Sequence, residues 1–154
     1  MSNNSRFAVA VHVLTLMAWA EDESLKSEHV AESVNTNPVV IRRMLCELAQ
    51  SGLVVSHKGA AGGSRLSRKA GDITLLDVFK AVESRGVFSL PKHPPSNRCP
   101  VGVNIETVLE TVLEEVDSAV DQVLKNITIE DVVKRLKPCL KTGEPRSRQR
   151  ASGP

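Results

Sequence analysis

The sequence predicts a mainly α-helical protein carrying one small β-hairpin, and three observations predict it. Apolar residues recur at helical spacing, first in Ile41, Leu45 and Leu48 and later in Ile105, Leu109, Val112, Val116, Ala119 and Val123. Only "LVVSHK", "GAAGG" and "SRLSR" in succession read as two short strands about a flexible turn. Directly ahead of that hairpin, Asn37 with Pro38 and Ser51 with Gly52 mark the start and stop of a helix.

The elements follow in order. Residues 6–20 read as a helix that is apolar nearly all round, hence buried on most sides. In "SLKSEHVAESVN", Ser27 is the expected N-cap, with Glu28 in the first turn and Val30, Ala31 and Val34 on one face. The third helix starts at Asn37 as cap and Pro38 at the first helical position, where no N–H is missed. Two short helices so close together suggest a helix-turn-helix, and a basic hairpin after such a pair is a wing. "TLLDVFKAVE" predicts a short amphipathic helix over 74–83. The stretch 84–102 holds four prolines and two glycines and reads as a long loop. A long helix is expected from Asn104 to Lys125, with a heptad seam wide enough to pack on a partner on one side and on its own domain on the other. "TIEDVVKRL" predicts a last short helix over 128–136, and from Lys137 the chain turns basic and irregular.

Composition bounds the function. A chain of 154 residues, 41% hydrophobic and 25% charged, can bury the core of one domain with an appended arm. Aromatic residues make up only 3%, which argues against base-stacking platforms for single strands. The formal charge of +2 conceals an asymmetry: a local +5 between Arg42 and Lys69, against a local −5 between Asn104 and Arg135. The basic segment is suited to an anion. Cys46, Cys99 and Cys139 lack CxxC spacing and are odd in number, which fits a reducing cytoplasm. "RFAVAVHVLTLMAWAED" mimics a signal peptide. A weakly basic start, His12 and Thr15 inside the run, and a length too short to span a bilayer favour a buried helix and no membrane.

The glycine-rich loop needs a choice between a nucleotide and a nucleic acid. A P-loop requires GxxxxGK[ST] opening a helix, and a dinucleotide fingerprint requires GxGxxG doing the same; "GAAGGSRLSR" does neither. The alternative is a solvated turn without a role. Lys58 and Arg65 flank a turn whose Gly62 and Gly63 let backbone approach a phosphate closely, which favours nucleic acid. Arg42 and Arg43 suit guanine, Val39 a thymine methyl, and Asn37 with the helix start a phosphate.

The order of elements, with "NPVVIRRML", "GLVVSHKGAAGGSRLSR", "TLLDVFKAVE" and "CPVG", resembles the Rrf family of bacterial winged-helix transcriptional regulators, which includes IscR, NsrR and CymR. The resemblance spans residues 5–136 and is closest to the YwnA-like branch. It implies a winged helix-turn-helix plus a long dimerisation helix, and a homodimeric repressor on a roughly palindromic double-stranded DNA operator. The implied units are a DNA-binding domain over 1–84, a sensing loop over 85–103, dimerisation helices over 104–136 and a basic disordered tail over 137–154. By position, base reading falls on Val39, Arg42 and Arg43, minor-groove contact on Lys58, and a backbone contact on Arg6. A helix from Asn104 to Lys125 is about 33 Å long, enough to set recognition helices roughly 34 Å apart.

The sequence departs from the iron–sulfur members, which carry three cysteines before the long helix. Here "KHPPSNRCPVGVNI" holds Cys99 alone, so no cluster is expected, and His93 with Cys99 lacks the remaining ligands of a zinc site. Three controls stay open: a thiol switch at Cys99, activated by Arg98; a small-molecule effector between the loop and the long helix; and a partner protein. Cys46 is expected to pack as a small hydrophobe. No catalytic set or metal motif is present, so an enzyme is not expected. The rival function is a dimeric adaptor binding protein through the acidic long helix.

Overall fold

The computed structural model describes residues 3–141. Helix α1 (Asn3–Trp19) is enclosed on most sides, with Ala10, Val13, Leu14 and Met17 fully buried. Thr15, also buried, donates its hydroxyl to the Val11 carbonyl at 2.6 Å, so it leaves no polar group unsatisfied in the core.

Helices α2 (Ser27–Val34) and α3 (Pro38–Gln50) form the expected helix-turn-helix. The turn is tight because Asn35 takes the left-handed conformation at φ 59°, and the Thr36 N–H reaches back to the Ala31 carbonyl at 2.9 Å. Ser27 is not the cap that the sequence predicts. Lys26 holds that position without a side-chain bond, and the Ser27 hydroxyl donates instead to Glu28 at 3.2 Å. Asn37 does cap α3, its Oδ1 accepting from the Val39 N–H at 2.9 Å. Ile41, Met44, Leu45 and Leu48 form the buried stripe of α3, and Gly52, at φ 74°, stops the helix.

Strands β1 (Val54–His57) and β2 (Gly63–Leu66) pair antiparallel, Val54 opposite Leu66 and His57 opposite Gly63. Leu25 extends this ribbon by exchanging backbone hydrogen bonds of 2.9 and 2.8 Å with Ser64. The wing is thereby tied to the segment that leads into α2. After a 3₁₀ turn at Ala70–Asp72 comes α4 (Leu75–Val82), opened by a capping box in which Thr74 and Asp77 satisfy each other's backbone N–H groups.

Three boundaries differ from expectation. Helix α5 runs Pro100–Leu124, four residues ahead of the predicted start at Asn104, because Pro100 at the first helical position has its φ preset for a helix. The loop between α4 and α5 is correspondingly shorter than 85–103. Helix α6 runs Ile129–Lys141, past the predicted end at 136 and through Pro138. Proline there removes only one intrahelical N–H, and the amphipathic pattern of Val132, Leu136 and Leu140 continues across it. The remainder of the basic tail lies outside the described residues.

α6 packs on α1, and its Ile129 is fully buried in the core with Leu14, Ile41 and Ile73. Thr128 and Asp131 repeat the reciprocal capping bonds of Thr74 and Asp77 at 2.9 and 3.1 Å. An isolated bridge between Thr74 and Thr128 locks the two helix starts side by side, through Leu75 N–H to Ile127 O and Ile129 N–H to Ile73 O. The Thr128 N–H and hydroxyl hold the Asp131 carboxyl below the usual carboxylate range.

α5, by contrast, has no buried residue. Its length is about 37 Å at roughly 1.5 Å per residue. Ile105, Leu109 and Val116 are half-buried, whereas Val112, Ala119 and Val123 of the same seam are exposed, Val123 at 60%. Val101 and Val108 enlarge this uncovered face, and Val103 is exposed on the other side of the helix. Among the described residues, no helix is long and apolar enough to cross a membrane.

Candidate nucleic-acid interface

Burial of Ile41, Met44, Leu45 and Leu48 turns the other side of α3 outward, and the exposed residues there are Val39, Arg42, Arg43 and Cys46. Val39 is 46% exposed although apolar, and nothing among the described residues covers it at this helix start. The helix N-terminus beside it carries a partial positive charge, and Asn37, having spent its oxygen on the cap, keeps its amide NH₂ for an acceptor. The arrangement offers an apolar contact, two guanidiniums and an anion-binding helix start on one face.

The two guanidiniums differ in state. Arg42 reaches back to α2, its Nη2 2.9 Å from Glu28 Oε1 and its Nε 3.3 Å from the Ser27 hydroxyl. Its own backbone N–H and then Arg42 hold the Glu28 carboxyl below the usual range, so the pair is ionised at neutral pH. No ion pair engages Arg43 among the described residues, and it is exposed. Arg6 is also engaged: its Nη2 pairs with Glu47, joining α1 to α3. Glu28 and Glu47 are partners that the sequence did not reveal, because each lies far along the chain from its arginine.

The wing carries Lys58 at its tip and Arg65 on β2, both exposed. Gly62 is required by the turn itself: a Cβ there would stand 2.4 Å from the His57 carbonyl and 2.8 Å from that of Gly59. Gly63, at φ 154°, lies where a Cβ would be 2.8 Å from the Leu25 carbonyl. Both glycines therefore serve the packing of the wing. Arg68 folds back onto α4, bonding the Asp72 carbonyl at 3.1 Å and Asp77 at 3.2 Å. A cleft of about 590 Å³ separates the wing from α3, and Cys46, Arg42 and Lys58 line it. Cys46 is thus exposed and does not pack in the core as expected, since its position on α3 falls on the Arg42 face.

Cys99, Arg98 and His93 lie exposed on the α4–α5 connection. Cys99 is the N-cap of α5, and the N–H groups of Gly102 and then Val101 lower its pKa below the usual thiol value. No formed cap hydrogen bond accompanies this, so the effect is that of the helix start acting across a longer gap. The cause is backbone, where the sequence pointed to Arg98. Within the chain, no group of three or more His, Cys, Asp or Glu among the described residues could hold a metal ion. Cys46, Cys99 and Cys139 sit on three separate elements, and none of them belongs to such a group.

Residues 3–135 match the family described as Rrf2, iron-dependent transcriptional regulator. The chain is 39% identical over 133 residues to YwnA of Bacillus subtilis (strain 168), which is named as an HTH-type transcriptional regulator; the match covers 86% of this chain and 98% of YwnA. A crystal structure described as that of a DNA-binding protein is 38% identical, with a TM-score of 0.65, covering 83% of this chain and 98% of the other. IscR of T. potens shares the fold at 22% identity and a TM-score of 0.65, over 93% of this chain and 91% of its own.

Proposed function

The chain belongs to the Rrf2 family and is a DNA-binding transcriptional regulator, and on that premise we propose that it reads its operator as a homodimer through α3 and the wing. The observation that carries this reading is the outward face of α3, where Val39, Arg42 and Arg43 stand together beside a capped helix N-terminus. Arg43 suits bidentate contact with guanine, Arg42 joins it on release from Glu28, and Lys58 with Arg65 follows the phosphates from the wing. Arg6 takes a backbone phosphate only by leaving Glu47.

The uncovered face of α5 supports the dimer: Val101, Val108, Val112 and Val123 are each 48% exposed or more, which is costly for a lone chain and ordinary for a helix that crosses its copy. We assign the protein to the cytoplasm, acting as a repressor without a cluster. Its control rests on the thiol of Cys99 or on a small effector. The depressed pKa of Cys99 supports the thiol, because the thiolate is the species that oxidants and alkylating agents attack.

The test is fluorescence anisotropy with the DNA upstream of the protein's own gene, at 50 and 200 mM salt, with and without mild oxidant. Binding is expected to be selective and to weaken by several powers of ten across that range, as phosphate neutralisation requires; for about 6–10 phosphate contacts the loss is ~10³–10⁵-fold. Salt-insensitive binding would overturn the interface. An oxidant response that survives Cys99→Ser would remove the thiol from the reading and leave the effector.

A further inference from the structure

A cavity of about 400 Å³ lies where α1, α4, α5 and the segment after α4 meet, and none of its lining residues is one placed against DNA above. Its walls are Phe7, Phe79, Phe88, Val120 and Leu124. Phe7 and Phe79 meet edge to face, ring centroids 5.7 Å apart at 80°, so the pair presents both a ring face and a ring edge. Glu83, just past the end of α4, lines the same cavity. Its Oε1 is fully withdrawn from solvent and has no hydrogen-bond partner, the one such side-chain atom among the described residues.

An acceptor held away from water without a donor is an unfavourable arrangement, and a donor in the cavity relieves it once the Glu83 side chain turns toward it. Arg85 also lines the cavity, yet it forms no ion pair with Glu83. From these observations, the geometry points to a binding site for a small ring-bearing organic cation, an amine whose ammonium meets Glu83 and whose apolar body lies among Phe7, Phe79 and Phe88. The carboxylate supplies a charge-assisted hydrogen bond, and the ring faces add cation–π attraction within about 6 Å. Arg85 is exposed and screened by solvent, whereas a carboxylate or phosphate ligand would face the withdrawn Glu83 carboxylate and is disfavoured.

The uncovered face of α5 lies to one side of this cavity. Val120 and Leu124 turn toward the domain, while Val108, Val112 and Val123 face solvent roughly a third of a turn away around α5. The cavity also touches the fastening of α5 to the domain. Asp117 of α5 accepts from the Val87 N–H at 3.1 Å, and a Cβ on Gly86 would stand 2.6 Å from the other Asp117 oxygen. A molecule lodged beside Val87 and Phe88 therefore bears on the contact that sets α5 against the DNA-binding domain. That coupling rests on the proposed operator reading; the binding site itself does not.

Isothermal titration calorimetry of the full chain, without DNA, tests the site with three probes: 2-phenylethylammonium, the neutral 2-phenylethanol and the anionic 3-phenylpropanoate. The ammonium is expected to bind at least about tenfold more tightly than the alcohol, and the anion not to bind. Glu83→Gln is expected to abolish the preference of ammonium over alcohol. Val120→Phe, which fills the cavity with an apolar side chain, is expected to abolish binding of both, and it decides the matter if Glu83→Gln does not fold. Equal binding of all three probes, a cation preference that persists in Glu83→Gln, or no binding of the ammonium to the wild-type chain overturns the assignment. Because no DNA is present, such a failure is separate from any failure of the operator reading.

Discussion

Arg42 and Arg43 are neighbours in sequence, yet the structure predicts opposite sensitivities around them. Arg43 is free of ion pairs among the described residues, so the whole of any contact it makes with a base appears as binding free energy. A good bidentate arginine–guanine pair is worth about 1–3 kcal/mol, so Arg43→Ala should weaken operator binding roughly 5- to 150-fold per half-site. Arg42 first has to give up Glu28 at 2.9 Å, a pair whose two side chains are 54% and 62% exposed. An exposed pair of that kind contributes about 0–1 kcal/mol, so Arg42→Ala should cost less than Arg43→Ala by up to that amount.

The distinguishing variant is Glu28→Gln. It frees Arg42 and removes a negative charge from the DNA-facing side, so binding should tighten, by up to about fivefold at low salt and less at high salt. Fluorescence anisotropy on one labelled operator, with the dimer checked by light scattering, measures all three variants. If Glu28→Gln weakened binding as much as Arg42→Ala does, Glu28 would be positioning Arg42 for DNA, and the competition argued here would be refuted. Unchanged binding by Arg43→Ala would refute the assignment of the α3 face as a whole.

Further outcomes are expected elsewhere in the chain. Asn37→Ala removes the acceptor of the Val39 N–H and should destabilise the fold by about 1 kcal/mol, a fall of roughly 2–4 °C in Tm by circular dichroism. Val112→Asp places a charge in the uncovered seam of α5 and should convert the dimer to monomer in light scattering, leaving the helical spectrum unchanged. The N–H groups of Gly102 and Val101 favour the Cys99 thiolate over the thiol, so thiolate is populated at lower pH than in an unfolded chain. Its alkylation by iodoacetamide, followed by peptide mass spectrometry, should therefore reach half its maximal rate below the pH found for Cys99 in the urea-unfolded protein.

What the sequence made legible follows from the range of the interaction that carries each feature. The cap at Asn37, the stop at Gly52 and the hairpin are decided by residues within a few positions of one another, and the structure has them where the spacing puts them. The apolar stripe of α3 likewise fixes which side of that helix faces outward, and with it the exposure of Val39, Arg42 and Arg43. Pro100 was a local signal misread, since the same residue ends loops and begins helices. The attachment of α6 is different. Val132, Leu136 and Leu140 announce an amphipathic helix, but only the pairing of Thr74 with Thr128 across the chain sets its start beside that of α4. The state of the arginines is equally non-local: Arg6 meets Glu47 across 41 positions and Arg42 meets Glu28 across 14. Glu83 is the extreme case. In sequence it is an ordinary acid at the end of a helix, and its orphaned oxygen exists only because α1, α5 and the segment after α4 close around it. Periodicity reports which face of an element is buried. It does not report which charges meet there, and in this protein both the state of Arg6 and Arg42 and that of Glu83 depend on such meetings.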